Sequence, residues 1–167
     1  MKKIFSALLL FVFLMAFSQE TINFQSGTFK EILAKAKAEK KLVFLDAYAS
    51  WCGPCKMMER NIFPLPSVKE YYNANFINAH FDMEKGEGRE IAQKYGIRSY
   101  PTYLFLNGDG ELVMQNYGYM GEQDFLAIGK EANNPKFAGS SAMELFEKGE
   151  TDPDFLRNMM KNNAQSN

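Results

Sequence analysis

Cysteine is nearly absent from this chain: Cys52 and Cys55 are the only two, and His80 is the only histidine. A zinc site draws on four such ligands, or on three and a water. That ligand count argues against zinc, and no metal is expected. Covalent haem attachment needs a histidine directly after the second cysteine, where this chain has Lys56. An excess of one charge is also missing. Nineteen basic residues face 20 acidic ones, for a formal net charge of −1, which leaves no electrostatic case for nucleic acid. Beyond residue 17 no apolar run approaches the roughly 20 residues of a membrane-spanning helix. At 46% hydrophobic and 14% aromatic, the chain has material for a core without covalent staples. Its cysteines are therefore not needed to hold the fold.

What is present begins with the N-terminus, "MKKIFSALLLFVFLMAFSQE". Lys2 and Lys3 precede an apolar run from Ile4 to Phe17, broken only by Ser6, and small residues stand at Ala16 and Ser18. This is the layout of a secretory signal peptide, residues 1–18, cut before Gln19. An uncleaved membrane anchor is the alternative, for which the run is short.

The periodicity of the remainder predicts helices and strands in alternation. Residues 28–40 carry Phe29, Ile32, Leu33 and Ala36 at helical spacing. "KLVFLDAY" (41–48) reads as a buried strand, and "CKMMERNIF" as a helix directly after it. Ser67 is the expected N-cap of the helix "VKEYYNAN". "FINAHFDM" (76–83) is a second strand, and "EGREIAQKYG" a helix stopped by Gly96. "PTYLFLNGDGELVMQNYG" is a hairpin turning at Asn107-Gly108-Asp109-Gly110. Residues 121–132 close the domain as a helix. Strands separated by helices pair in parallel, and the hairpin adds an antiparallel edge. The fold class is α/β, a mixed central sheet with helices on both faces. The expected domain is residues 19–133. Residues 134–167 read as a linker followed by the short helical segments "AMELFEKG" and "DPDFLRNMMKNN".

Two thiols two residues apart can be a structural bridge or a reaction centre. A bridge closing so small a loop removes little unfolded-state entropy. The redox reading explains more. The pair falls where a buried strand gives way to a helix, and unpaired N–H groups with the helix dipole favour a negative charge there. A Cys52 thiolate would be stabilised, its pKa lowered from about 8.5. Pro54 suits the first turn of a helix, where its missing N–H costs nothing. Gly53 is expected to leave the Cys52 sulfur open, while Cys55, one turn inside, is the less exposed thiol.

Trp51-Cys52-Gly53-Pro54-Cys55-Lys56 resembles the thioredoxin active-site sequence without a change. "KYGIRSYPTYLFLNGDGE" is similar to the thioredoxin segment that holds the cis-proline, here Pro101. Asp46 falls where thioredoxins keep a buried aspartate, and Gly118 where they have a substrate-groove glycine. The resemblance spans about residues 25–133. Arg60 and Asn78 stand where thioredoxins usually have proline and a buried lysine. "MMERNIFPLPSVKEYY" is closer to secreted thioredoxin-like proteins and to the periplasmic C-terminal domain of transmembrane thiol:disulfide interchange proteins.

That resemblance implies a thioredoxin fold and a monomeric thiol:disulfide oxidoreductase without a cofactor. It would exchange disulfides with client proteins in the bacterial periplasm, in the reducing or isomerising direction, and take electrons from a membrane-bound thiol:disulfide donor. A binding module with a structural disulfide is the competing reading. Cys52 would be the nucleophile and Cys55 the resolving thiol, with Asp46 moving a proton to or from Cys55. Pro101, after a cis bond, would present backbone to an extended client. Trp51, Gly53, Pro54, Tyr100 and Gly118 would form the client surface. Met57 and Met58 are expected to pack the helix. His80 is expected to be a hydrogen-bonded sheet histidine.

Overall fold

A computed structural model of the chain describes residues 21–134 together with Gly149. The expected leader, and all of the expected extension except Asn134 and Gly149, lie outside the described residues. Helix α1 (Phe29–Glu39) opens on reciprocal caps. The Thr28 hydroxyl accepts the Glu31 N–H, and the Glu31 carboxylate accepts the Thr28 N–H. Then follow β1 (Leu42–Tyr48), α2 (Gly53–Asn61), α3 (Pro66–Asn75), β2 (Phe76–Asp82), α4 (Gly88–Lys94), β3 (Thr102–Leu106), β4 (Leu112–Tyr117) and α5 (Glu122–Ala132).

The strands form one mixed sheet in the order β2-β1-β3-β4. Helices α2 and α3 carry the chain from β1 back to a parallel β2, because parallel neighbours need a long crossover. β3 runs antiparallel to β1, and β4 antiparallel to β3. The hairpin turns where expected. The Asn107 side chain accepts the N–H groups of Asp109 and Glu111, and Gly110 takes φ +77°.

Alternation along β1 divides the core between the two faces. Val43, Leu45 and Ala47 meet Phe29, Ile32 and Ala36 of α1 and Ile91 of α4. Phe44 points the other way, into a cluster with Met58, Tyr72, Tyr103, Phe105 and Phe125. Tyr72 stacks on Phe125 at 4.6 Å and donates its hydroxyl to the Phe125 carbonyl at 2.7 Å. Burying each such large side chain contributes about 1.5–3 kcal/mol. Asp46 shares the parity of Phe44, so it faces the side covered by α2, α3 and α5.

Ser67 does not cap α3. The helix begins two residues earlier than expected, at Pro66 with Leu65 as its N-cap, and has no side-chain cap. Pro66 needs no N–H partner, and the Ser67 hydroxyl instead bonds the Glu122 carboxylate of α5.

Candidate active site

The β1 strand ends at Tyr48, and a tight turn follows in which the Cys52 N–H bonds the Ala49 carbonyl at 2.9 Å. Cys52 is the N-cap of α2, with Gly53 and Pro54 in its first turn. The Cys55 N–H donates to the Cys52 sulfur at 3.1 Å, one of the N–H groups that a helix start leaves unpaired. Cys52 and Cys55 are joined in a disulfide, with Cα atoms 5.4 Å apart. A thiolate formed at Cys52 would meet that same N–H and the positive end of the helix.

The expected difference in exposure is not seen. Cys52 and Cys55 are both 2% exposed, in a small cluster with Ala49, Tyr48 and Tyr100. In the bonded state the aromatic rim covers both residues. A methyl group at Gly53 would meet no atom within 4 Å, so the space in front of the pair is open.

Trp51 is 66% exposed, and its indole N–H is held by Glu84 at 2.9 Å. Its ring stands edge-on to Tyr100, 5.9 Å away. The Tyr100–Pro101 bond is cis, as the resemblance implied. The Pro101 carbonyl accepts the Gly118 N–H at 2.8 Å, and Gly118 takes φ +84°, a conformation that favours glycine. Tyr100, the residue before this proline, packs against the cysteine pair. Met58 packs inside the core as expected, but Met57 is exposed and joins the open surface.

Asp46 is 1% exposed, and its Oδ1 has no hydrogen-bond partner. Burial, and then the charge of Glu59, hold its carboxyl well above the usual aspartate range. Its cross-strand neighbour is His80, paired with it in the β1–β2 register, and not Asn78, which pairs with Phe44. His80 is not the hydrogen-bonded sheet histidine expected. Its Nε2 is buried without a hydrogen bond and lies 3.6 Å from both Asp46 Oδ2 and Glu59 Oε1. Burial pushes its pKa down to about 4, against a smaller upward pull from Asp82.

Sequence reasoning did not place Glu59 or Glu84 at the site. Glu59 carried a faint signal, standing one helical turn after Cys55 and so on the same helix face. Glu84 carried none. Among the described residues, no group of three or more histidine, cysteine or acidic side chains is arranged to hold a metal ion.

Comparison with known proteins agrees with this geometry. The sequence profile of the thioredoxin-like domain matches residues 29–133. Thioredoxin-1 of Drosophila melanogaster is 39% identical over 76 residues, covering 46% of this chain and 66% of the fly protein. The thiol:disulfide interchange protein DsbD of Pseudomonas fluorescens is 33% identical over 79 residues, covering 47% of this chain but 14% of that protein. The chain therefore spans under two thirds of these curated relatives. Among solved structures, a candidate disulphide-isomerase from Bacteroides thetaiotaomicron superposes with a TM-score of 0.63 at 40% identity. It covers 70% of this chain and 96% of its own.

Proposed function

The chain belongs to the thioredoxin-like domain family of thiol:disulfide oxidoreductases, and from that premise we propose that it is an exported enzyme that reduces or rearranges disulfides in client proteins. One observation carries the reading. The Cys52 sulfur caps α2 and accepts the Cys55 N–H, so the site holds a disulfide where a thiolate is stabilised.

In the reduced protein the Cys52 thiolate attacks a client disulfide, and the client's leaving sulfur departs as a thiolate that takes a proton from water. A mixed disulfide between Cys52 and the client remains. Asp46, ionised, takes the proton of the Cys55 thiol. The Cys55 sulfur then attacks Cys52, closing the bond seen here and expelling the second client thiolate. The client gains two electrons and the enzyme loses them. A dithiol donor restores the enzyme. Pro101 has no N–H, and its carbonyl already accepts from Gly118, so a client strand pairs with the backbone at Tyr100. Trp51, Gly53, Pro54, Tyr100 and Gly118 bound that groove, with Met57 and Tyr119 exposed beside them.

Export rests on the charged and apolar leader. A bacterial periplasm with a membrane-bound thiol:disulfide donor suits that leader, and similarity to an interchange protein supports it. Residues 19–133 form the catalytic unit in this reading, and residues 134–167 a separate extension.

The test is insulin reduction with dithiothreitol as electron source. Precipitation faster than the thiol-only background is expected, whereas a binding module gives none. Equilibration of the Cys52–Cys55 pair with glutathione then fixes direction. A potential near that of thioredoxin supports reduction, and a much less negative one supports oxidation.

A further inference from the structure

A histidine buried in a sheet normally spends its ring nitrogens on hydrogen bonds. His80 Nε2 does not. It has no hydrogen-bond partner, yet a single atom faces two carboxyl oxygens from different elements. Asp46 Oδ2 of β1 is 3.6 Å away, and Glu59 Oε1 of α2 is also 3.6 Å away. Each separation is within a small side-chain rotation of a hydrogen bond. The two carboxyl groups differ in access. The Asp46 side chain is 2% exposed, and that of Glu59 is 39% exposed. His80 therefore sits on the path between a sealed carboxyl and water.

We propose that His80 is a proton-relay residue, passing the proton that Asp46 takes from Cys55 to Glu59 and so to solvent. It acts through Asp46 and never on sulfur, so the proposal rests on the reading of Asp46 as the base for Cys55.

The step balances. Closure of the Cys52–Cys55 bond requires Cys55 to lose one proton, which Asp46 holds afterwards. The next cycle needs Asp46 ionised again. Nε2 of neutral His80 accepts that proton from Asp46 Oδ2, the ring tilts, and the same nitrogen hands it to Glu59 Oε1, from which water removes it. No electron moves and no other reactant enters.

The surroundings suit a relay better than a fixed ion pair. The ring is held between Tyr48 of β1, at 3.9 Å between centroids, and Phe24, at 4.9 Å. Charged and titratable groups face it from three elements: Asp46 and Tyr48 of β1, Asp82 of its own strand, and Glu59 of α2. Asp82 is tied to Lys85 at 2.8 Å, which draws its charge away from the ring. With its pKa near 4, His80 is neutral at physiological pH and does not keep a proton it accepts. Asp46, held high, is the group that gives one up slowly.

The reduced protein, in the form it takes after maturation in an expression host, is mixed with an aromatic disulfide that releases a coloured thiolate at each step. The first release reports attack by Cys52, and the second reports resolution by Cys55. With a dithiol donor re-reducing the pair, His80→Asn should leave the second release of the first cycle unchanged and slow repeated turnover above the donor-only background about tenfold, less than the 10²-fold or more typical of a lost general base. Added imidazole buffer should restore much of the rate, because a small base can carry the stranded proton. Glu59→Gln, at the exposed end, tests the same path without disturbing the core and should show the same rescue. Asp46→Asn should slow the second release itself and resist rescue, and Asp46→Asn/His80→Asn should be no slower than Asp46→Asn alone. If Asp46→Asn slows resolution while His80→Asn and Glu59→Gln match the parent in repeated turnover, the relay is overturned and the base stands. Slowing without buffer rescue, or additive effects in the double variant, also overturns it. If Asp46→Asn leaves resolution unchanged, the base reading itself falls, and the relay falls with it.

Discussion

The Cys55 N–H points at the Cys52 sulfur, 3.1 Å away, while among the described residues no comparable hydrogen bond reaches the sulfur of Cys55. Exposure does not separate the two residues, so this hydrogen bond does. The first thiol is the one whose anion the helix end stabilises.

Cys55→Ser is therefore expected to accumulate covalent complexes between Cys52 and client proteins, because resolution is lost. Cys52→Ser should form almost none. Both variants, expressed with the N-terminal leader and acid-trapped, are compared on non-reducing gels. Equal trapping, or trapping mainly through Cys55, reverses the roles.

Asp46→Asn should keep the fold, raise stability by about 1–3 kcal/mol at neutral pH, and lower turnover. The sign follows from burial. The native carboxyl binds its proton more tightly than the unfolded chain does, so the wild type loses stability as pH rises from the unfolded value of about 4 through the raised native one. The variant lacks that loss. Denaturant titrations at pH 4 and pH 8 check it, and the difference between the proteins should be larger at pH 8.

His80 has the opposite signature. Its native pKa of about 4 lies below the ordinary 6.5, so the unfolded chain binds the extra proton first. Stability should fall as pH drops from 6.5 toward 4, by roughly 3 kcal/mol at most. His80→Asn should flatten that limb of the melting curve. An unchanged slope would show that the imidazole titrates normally in the fold.

Gly88→Ala tests how α4 is seated. A methyl group there would lie 2.1 Å from the Asp82 carbonyl oxygen, and backbone cannot step aside cheaply. A loss of about 1–3 kcal/mol is expected. Gly121→Ser is the contrast, since position 121 is the N-cap of α5 and has nothing within 4 Å of an added carbon. A gain of a few tenths of a kcal/mol is expected there. Urea midpoints distinguish the two.

Much of the frame was legible because its signals are local. The apolar run of β1, the helical spacing of Phe29, Ile32, Leu33 and Ala36 and the Asn107–Gly110 turn each depend on neighbours in sequence. Asp46 and the cysteine pair were legible through their motif. The carboxyl–imidazole–carboxyl cluster was not. His80 meets Asp46 only through the register of two parallel strands separated by two helices, and no local pattern encodes that register. Ser67 misled for a related reason. Its hydroxyl is used by Glu122, a partner 55 residues away, while Pro66 supplied the helix start. The burial of Cys52 depends on a rim brought in by Tyr48 at the end of β1 and Tyr100 in the loop before β3, residues far apart in sequence.

The closed Cys52–Cys55 bond has a further consequence, since the chain contains no other cysteine. Its sulfur chemistry has one internal pairing and no isomers, so scrambling within the molecule cannot occur. An intact chain at rest offers an alkylating reagent either no thiol or both. A chain that offers one is caught in the act, with its other sulfur bonded to a second molecule. Alkylation counted by mass on the whole protein thus turns it into a clock for exchange, in which the singly labelled fraction measures how long each client stays attached.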